Sequence, residues 1–498
     1  MVPLGCMQIL FRSLLMKCSR SCRRGVLVGS RPSRHNSSRL AASRKERDLR
    51  KKTPLFSLAV MLCLLPLGFV LPAASQTALD AITIERRADQ WLKPYVAAGD
   101  FSGVVLIAQG DQMLLEKAYG KADFQHDVAN QIATRFRIAS LSKTFTAAAI
   151  EQLSAQGKLS LKDHLSDYVS GITNGDKITV EQLLTHESGV GELDTPDMYR
   201  DCLTNEELIR RLRIVPPLFA PGTDSHYSNE GYFLLAVIIE KVSGIPYAAF
   251  LQKNILDPLR LTNTGSACKE LPPGPIAAGN VPGAEAGSVI PLPFEEAAII
   301  GPGSLYSTAH DLYAWLKAVD TNRTFQVERL EYPYGWGKRN YSGRDLIEQS
   351  GVHEGFNAHM ALYPKEHLYA VVLSNVQSGL FNRIPKDLEA ILFGGETSRP
   401  VDVKPQTLGA TTLEEYAGTY KAPEIPIPQN LSVRDGHLCV QWGSYPFPRI
   451  LIPTAKDEFF FRYEYAQVRF ERDKAKIVRM VWHWPGGGPM TFTPTKSR

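Results

Sequence analysis

Ser140-Leu141-Ser142-Lys143-Thr144-Phe145-Thr146-Ala147-Ala148-Ala149-Ile150 opens a helical stretch that runs to a stop at Gly157, with Leu141, Phe145, Ala149 and Leu153 recurring every fourth residue. Upstream the period changes. Gly103–Gln109 and Met113–Tyr119 are extended apolar runs separated by Gly110-Asp111, which reads as a hairpin, and residues 77–97 carry helical periodicity through Leu79, Ile82, Ile84, Ala88, Trp91 and Leu92. Downstream, helices are expected at Val180–Thr185, Asn205–Leu212 and Gly231–Val242, and a long surface loop over the Pro/Gly/Ala-rich Leu271–Pro293. Leu346–Gln349, Ala358–Tyr363 and Tyr369–Ser374 then read as strands, and Pro385–Phe393 as a closing helix. Strands at both ends with helices between them predict one α+β domain, its antiparallel sheet joining sequence-distant segments.

Arg399–Gln406 is a polar, proline-containing link, and the texture changes beyond it. Leu431/Val433, Leu438/Val440, Phe459/Phe461/Tyr463, Val468/Phe470 and Val478/Met480/Trp482 alternate with period two, which predicts a small antiparallel β domain. The expected organisation is a leader over 1–75, the α+β domain over 76–398, a linker over 399–406 and the β domain over 407–498. Trp482, Trp484 and Tyr463 are expected to fill the core of the last.

The 498 residues are 44% apolar and 9% aromatic, a globular composition that excludes disorder and collagen. The net charge of +5 is unevenly spread. Residues 1–52 hold 14 of the 56 basic residues and two of the 51 acidic ones, leaving 42 basic against 49 acidic residues beyond them. The rest of the chain therefore has no basic field for a phosphate backbone, and nucleic acid is not an expected partner. Arg50-Lys51-Lys52, the apolar run Leu55–Val70 and Ala73-Ala74-Ser75 read as a secretory signal peptide cut after Ser75. The expected location is secreted or periplasmic, with membrane attachment only if that leader is retained. Beyond it only Cys202, Cys268 and Cys439 remain. A Cys202–Cys268 bridge fits an oxidising compartment, but the count reads more simply as free buried thiols, and no Cys/His cluster suggests a metal.

Ser140 and Lys143, three apart on a helix, share one face within a turn, and the helix N-terminus aims unpaired N–H groups toward Ser140. A nucleophilic serine needs a base and a place for the developing oxyanion, and this one turn offers both. Alone it reads more simply as a serine cap and a solvated lysine. Two further elements add weight: Tyr227-Ser228-Asn229 after Phe219-Ala220-Pro221-Gly222, and Gln349-Ser350-Gly351 at a strand end before Gly355-Phe356-Asn357. A phenol beside a lysine can share a proton, and an Asn can fix the lysine head while contacting a substrate carbonyl.

In this order the three elements resemble the serine β-lactamase and penicillin-binding protein superfamily, in particular the class C β-lactamase-related branch with its esterases and D-amino-acid peptidases. Phe136-Arg137-Ile138-Ala139-Ser140, Leu183-Leu184-Thr185-His186-Glu187-Ser188-Gly189, Asp257-Pro258-Leu259 and Gly303-Ser304-Leu305-Tyr306-Ser307-Thr308 extend the likeness over about residues 100–395. The C-terminal part is similar to the lipocalin-like appendage of some members. The resemblance implies that Ser140 is acylated, that Lys143 and Tyr227 move its proton, and that Asn229 holds Lys143. It also implies that the backbone N–H groups of Ser140 and Val352 receive the oxyanion, with Gln349, Ser350, Gly351 and Val352 lining the substrate. Gln349 departs from the usual Lys or His, which disfavours anionic substrates and favours esters or neutral amides.

The expected partner is thus a small-molecule or peptide substrate, with cell-wall association compatible with it and no cofactor or metal implied. A module that binds cell-wall peptide or β-lactam without turnover is the alternative. His186 is expected to be a structural hydrogen-bonding residue and His353 a rim residue. No Gly-x-Ser-x-Gly elbow, complete HExxH, Walker A or GxGxxG pattern is present.

Overall fold

The computed structural model describes residues 80–193, 201–292, 298–321, 334–423, 425–442 and 447–495; the leader assigned to residues 1–75 lies outside them. In chain order the principal elements are helix α1 (Ala81–Ala98), strands β1 (Gly103–Gln109) and β2 (Gln112–Tyr119), and helices α2 (Ser142–Ala155), α3 (Asn229–Ser243) and α4 (Ala309–Asp320). Strands β3 (Gly337–Tyr341), β4 (Arg344–His353), β5 (Phe356–Tyr363) and β6 (Leu368–Ser374) follow, then helix α5 (Ile384–Phe393). Eight more strands complete the series: β7 (Gly418–Ala422), β8 (Ile425–Arg434), β9 (His437–Trp442), β10 (Arg449–Ala455), β11 (Glu458–Phe461), β12 (Ala466–Asp473), β13 (Lys476–His483) and β14 (Pro489–Pro494).

The first six strands form an antiparallel sheet in the order β3-β4-β5-β6-β1-β2. As expected, it joins distant segments, with Gly103 opposite Ser374 and Gln109 opposite Leu368. Val104, Leu106 and Ala108 face a core built with α2, α3 and α4, while Val105 and Ile107 face a second core built with α1 and α5. Because both faces are covered, the central strands read as unbroken apolar runs rather than alternating ones.

Helix α2 is buried over most of its circumference, its Phe145 ring stacked 4.0 Å from Trp315 of α4. A lysine inside such a helix has little water around it, which matters for the site. Helix α3 is apolar because it is a core helix, buried from Glu230 to Ile239. Among the described residues no single helix is long and apolar enough to cross a membrane.

The C-terminal strands β7–β14 close into an antiparallel barrel. Its interior holds Leu431, Leu438, Val440, Phe459, Phe461, Val468, Phe470, Met480 and Trp482 of the period-two pattern, together with Leu451 and Phe492; of the other residues in that pattern, Val433 is half-buried and Val478 is exposed. Tyr463 is buried there too, and Trp484 packs against the same core and stacks on Trp482.

Three expectations change. Leu271–Pro293 is not simply a surface loop: Asn280–Pro282 and Val289–Pro291 pair as a hairpin, Asn280 is fully buried, and Val281 packs into the barrel core. Cys202 and Cys268 form a disulfide rather than two free thiols, and among the described residues Cys439 is the free buried cysteine. The helical stretch opening at Ser140 is in two parts, a 3-10 turn at Ala139–Leu141 leading into α2.

Candidate active site

Ser140 is placed by the approach to α2. Phe136–Arg137 pairs with Leu305–Ser307, and the Ile138 N–H donates to the Leu305 carbonyl at 3.1 Å. The chain then turns through Ala139 at φ +47°, a left-handed conformation unfavourable for a residue with a Cβ. That turn sets Ser140 on the 3-10 segment, half-buried at the edge of β4. The Leu305 N–H donates to Ser142 Oγ at 3.1 Å and locks the start of the helix. Gly351 lets β4 approach: a Cβ there would lie 2.3 Å from the Ile138 oxygen and 3.0 Å from the Ser140 nitrogen. No other residue fits without moving the strand away from the serine.

Ser140 Oγ accepts two hydrogen bonds, from the Tyr227 hydroxyl at 2.8 Å and from Lys143 Nζ at 3.1 Å. Lys143 Nζ also donates to Asn229 Oδ1 at 2.8 Å and to the Pro302 carbonyl at 3.3 Å, and lies 4.5 Å from the centre of the Tyr227 ring. Its side chain is fully buried, and burial holds its pKa well below the ordinary lysine value against the opposing pull of Glu230. Burial raises Glu230 in turn. The low-polarity surroundings thus favour the uncharged form of both groups, and an uncharged lysine can accept a proton. The four residues Ser140, Lys143, Tyr227 and Asn229 meet in one hydrogen-bonded cluster.

His186 sits behind Tyr227. Its ring stacks on the Tyr227 ring at 4.6 Å, and its Nδ1 accepts from the Ser228 N–H at 3.0 Å, fixing the Tyr227-Ser228-Asn229 segment. Burial first, then the nearby Lys143, pulls its pKa down to about 3, so it is an uncharged hydrogen-bonding residue rather than a base. His353 lies at the end of β4, stacked beside Phe356.

Gln349 is buried beside the site, and both ends of its amide are committed to the framework. Its Nε2 donates to the Gly335 carbonyl at 2.8 Å and its Oε1 accepts from the Ser350 N–H at 3.1 Å. Ser350 Oγ shares a hydrogen bond with Nδ1 of the buried His359, its cross-strand partner on β5, at 2.9 Å. Sequence reasoning missed His359, six residues past its attention to His353; only the β4–β5 register brings it to Ser350. Val352 follows Gly351 and pairs with Asn357.

The arrangement can do nucleophilic chemistry: a hydroxyl next to an uncharged amine and a phenol can lose its proton as its oxygen attacks an electrophile. The family model described as Beta-lactamase matches residues 88–392, and one described as a domain of unknown function (DUF3471) matches residues 402–495. Putative penicillin-binding protein PbpX of Bacillus subtilis (strain 168) is 28% identical over 304 residues, 59% of this chain and 75% of that protein. A penicillin binding protein from Bacillus halodurans superposes with a TM-score of 0.54 at 27% identity, over 62% of this chain and 98% of the other. A D-stereospecific amidohydrolase from Streptomyces sp. gives a TM-score of 0.54 at 23% identity, over 64% and 100%.

Proposed function

The chain belongs to the beta-lactamase family, whose model matches residues 88–392, and from that premise we propose that it is an exported serine hydrolase working through an acyl-enzyme formed on Ser140. The observation that carries this reading is the double hydrogen bond on Ser140 Oγ from Tyr227 and Lys143. As Ser140 Oγ bonds to the substrate carbonyl carbon, its proton passes to the Lys143/Tyr227 pair, and the carbonyl oxygen becomes an oxyanion received by the Ser140 and Val352 N–H groups. Donors so placed contribute about 3 kcal/mol each to the barrier reduction. Collapse of the tetrahedral species breaks the bond to the leaving group, which takes the stored proton; water then cleaves the acyl-enzyme by the reverse proton route.

The substrate class is a carboxylic ester or a neutral peptide amide, with anionic lactams disfavoured. Gln349 carries no charge to meet a substrate carboxylate, and its amide is already engaged by Gly335 and Ser350. The likeness to a D-stereospecific amidohydrolase keeps peptides built from D-amino acids within that class. Export is supported by the Cys202–Cys268 disulfide, since such bonds persist in oxidising compartments. The leader over 1–75 would direct it.

The test is to treat the protein with a fluorophosphonate probe and with short-chain p-nitrophenyl esters. Labelling and turnover that both vanish in Ser140→Ala support the hydrolase; labelling without turnover supports the non-turnover binding module; neither in the wild type refutes the hydrolase. Gln349→Lys is expected to raise the rate with anionic lactams more than with neutral esters, and equal effects on the two would contradict the charge argument.

A further inference from the structure

The barrel touches the catalytic domain close to β4. Arg449, the first residue of β10, forms an ion pair with Glu354 in the turn between β4 and β5, and both side chains are almost completely buried. Arg449 also donates to the Phe447 carbonyl at 3.2 Å, and its guanidinium lies 5.1 Å from the centre of the Tyr463 ring. The same turn is gripped on its other side. Gly355, at φ +79°, presses so tightly on the 279–280 backbone that a Cβ would come within 2.6 Å of Gly279 Cα, and its N–H donates to Gln377 Oε1 at 2.9 Å. The hairpin that begins at Asn280 is itself held by the barrel: Val281 packs into the barrel core, and Arg462 donates to the Gly283 and Glu285 carbonyls at 3.0 and 2.9 Å. Arg462 further pairs with the buried Asp100 at 2.6 Å, three residues before β1 begins.

A buried ion pair gains little over well-packed apolar residues, because the attraction mostly offsets the loss of hydration; what it does supply is a fixed geometry. The geometry fixed here is that of Glu354, two residues beyond Val352. We propose that the barrel contributes a positioning residue to the active site: Arg449 holds Glu354, and with it the turn that sets the end of the strand carrying Gly351 and Val352 against Ser140. The DUF3471 region thereby becomes part of the catalytic machinery's support rather than a tethered appendage.

This inference rests on the hydrolase reading above, and the experiment separates the two. In the full-length chain, Arg449→Met and Glu354→Gln are compared with wild type for kcat and KM on a p-nitrophenyl ester, for the rate of fluorophosphonate labelling and for the thermal midpoint. Displacing an oxyanion donor lowers kcat and labelling rate together, by about tenfold or more, while KM stays within about twofold. Arg449→Lys, which keeps the charge, recovers part of the loss. Arg472→Met breaks ion pairs internal to the barrel, with Glu415 and Asp457, and is expected to lower the midpoint without lowering kcat.

Folded Arg449→Met and Glu354→Gln proteins with wild-type kcat overturn the inference, as does an equal loss of kcat in Arg472→Met, which would mark a general effect of barrel stability. If Arg449→Met does not fold, Glu354→Gln decides alone, because it keeps the side chain's shape and a hydrogen-bond acceptor. An active wild type, an inactive Ser140→Ala and an unaffected Glu354→Gln refute the positioning role only. A wild type that neither labels nor turns over removes the hydrolase reading and this inference with it.

Discussion

On the proposed reading, Lys143 decides the chemistry because of where its charge cannot easily exist. Its amine is enclosed by Ser140, Asn229, the Pro302 carbonyl and the Tyr227 ring, and burial depresses its pKa well below the ordinary lysine value. A base must be unprotonated to act, so lowering the pH through the depressed value charges Lys143 and removes the acceptor for the Ser140 proton. The rate of ester hydrolysis should therefore rise with pH along a limb set far below the ordinary lysine value, and Lys143→Met should cost about a hundredfold or more in kcat. His186 cannot supply that limb, since at about 3 it stays uncharged over the working range. A pH–rate profile of kcat/KM checks this: a rate that falls as the pH rises from acid to neutral would refute the assignment, and a limb that disappears in a folded His186→Gln enzyme would transfer it to the histidine.

At the scale of elements, the site exists because three of them converge: the 3-10 turn before α2, the N-terminus of α3 with Tyr227 just before it, and the end of β4. The contact between the first and third depends on Gly351, whose missing side chain lets β4 reach the Ser140 amide. Gly351→Ala should leave a protein whose fluorophosphonate labelling is slowed by about a hundredfold, comparable to loss of an oxyanion donor, and normal labelling in that variant would show that the strand need not lie so close. The sequence made these elements legible to unequal degrees. Strands β1 and β6 and helices α2 and α3 carry period and composition of their own, and the order of Ser140, Lys143, Tyr227 and Asn229 survived into one cluster. Strand β3 was missed because Gly337-Lys338-Arg339-Asn340-Tyr341 is an edge strand, where polar residues are tolerated and no apolar alternation is required. The hairpin of Asn280–Pro282 and Val289–Pro291 has the composition of a loop; only Val281 meeting the barrel core makes it structural. The Cys202–Cys268 bond and the Ser350–His359 hydrogen bond each depend on a partner brought near by the tertiary fold, one 66 residues away in sequence and one across a strand register. Nothing local encodes either.

The whole molecule carries a cost for its buried acids that runs against the needs of its base. Glu151 lies on α2 two turns beyond Lys143, is 4% exposed, and among the described residues neither of its carboxylate oxygens has a hydrogen-bond partner. Burial alone raises its pKa from 4.5 to about 8. Between those values the folded chain holds a proton that the unfolded chain has released, so the stability this group contributes is complete below 4.5 and is lost as the pH rises through about 8. Asp100 and Glu230, both also raised by burial, act in the same direction. Lys143 and His186, both lowered by burial, act in the opposite direction, so the effect of Glu151 is read as a difference: the midpoint of the wild type should fall relative to that of Glu151→Gln as the pH is raised from 5 to 8. Glu151→Gln should therefore gain midpoint over the wild type toward pH 8 while leaving the acid limb of activity where it was. A Glu151→Gln protein whose midpoint keeps a constant offset from the wild type over that interval would mean that the carboxyl is hydrated in solution and that the interior of α2 is wetter than its packing implies. Because the midpoint difference and the limb come from one helix with opposite signs, measuring both on the same samples tests whether the dryness that activates Lys143 is the dryness that strains Glu151.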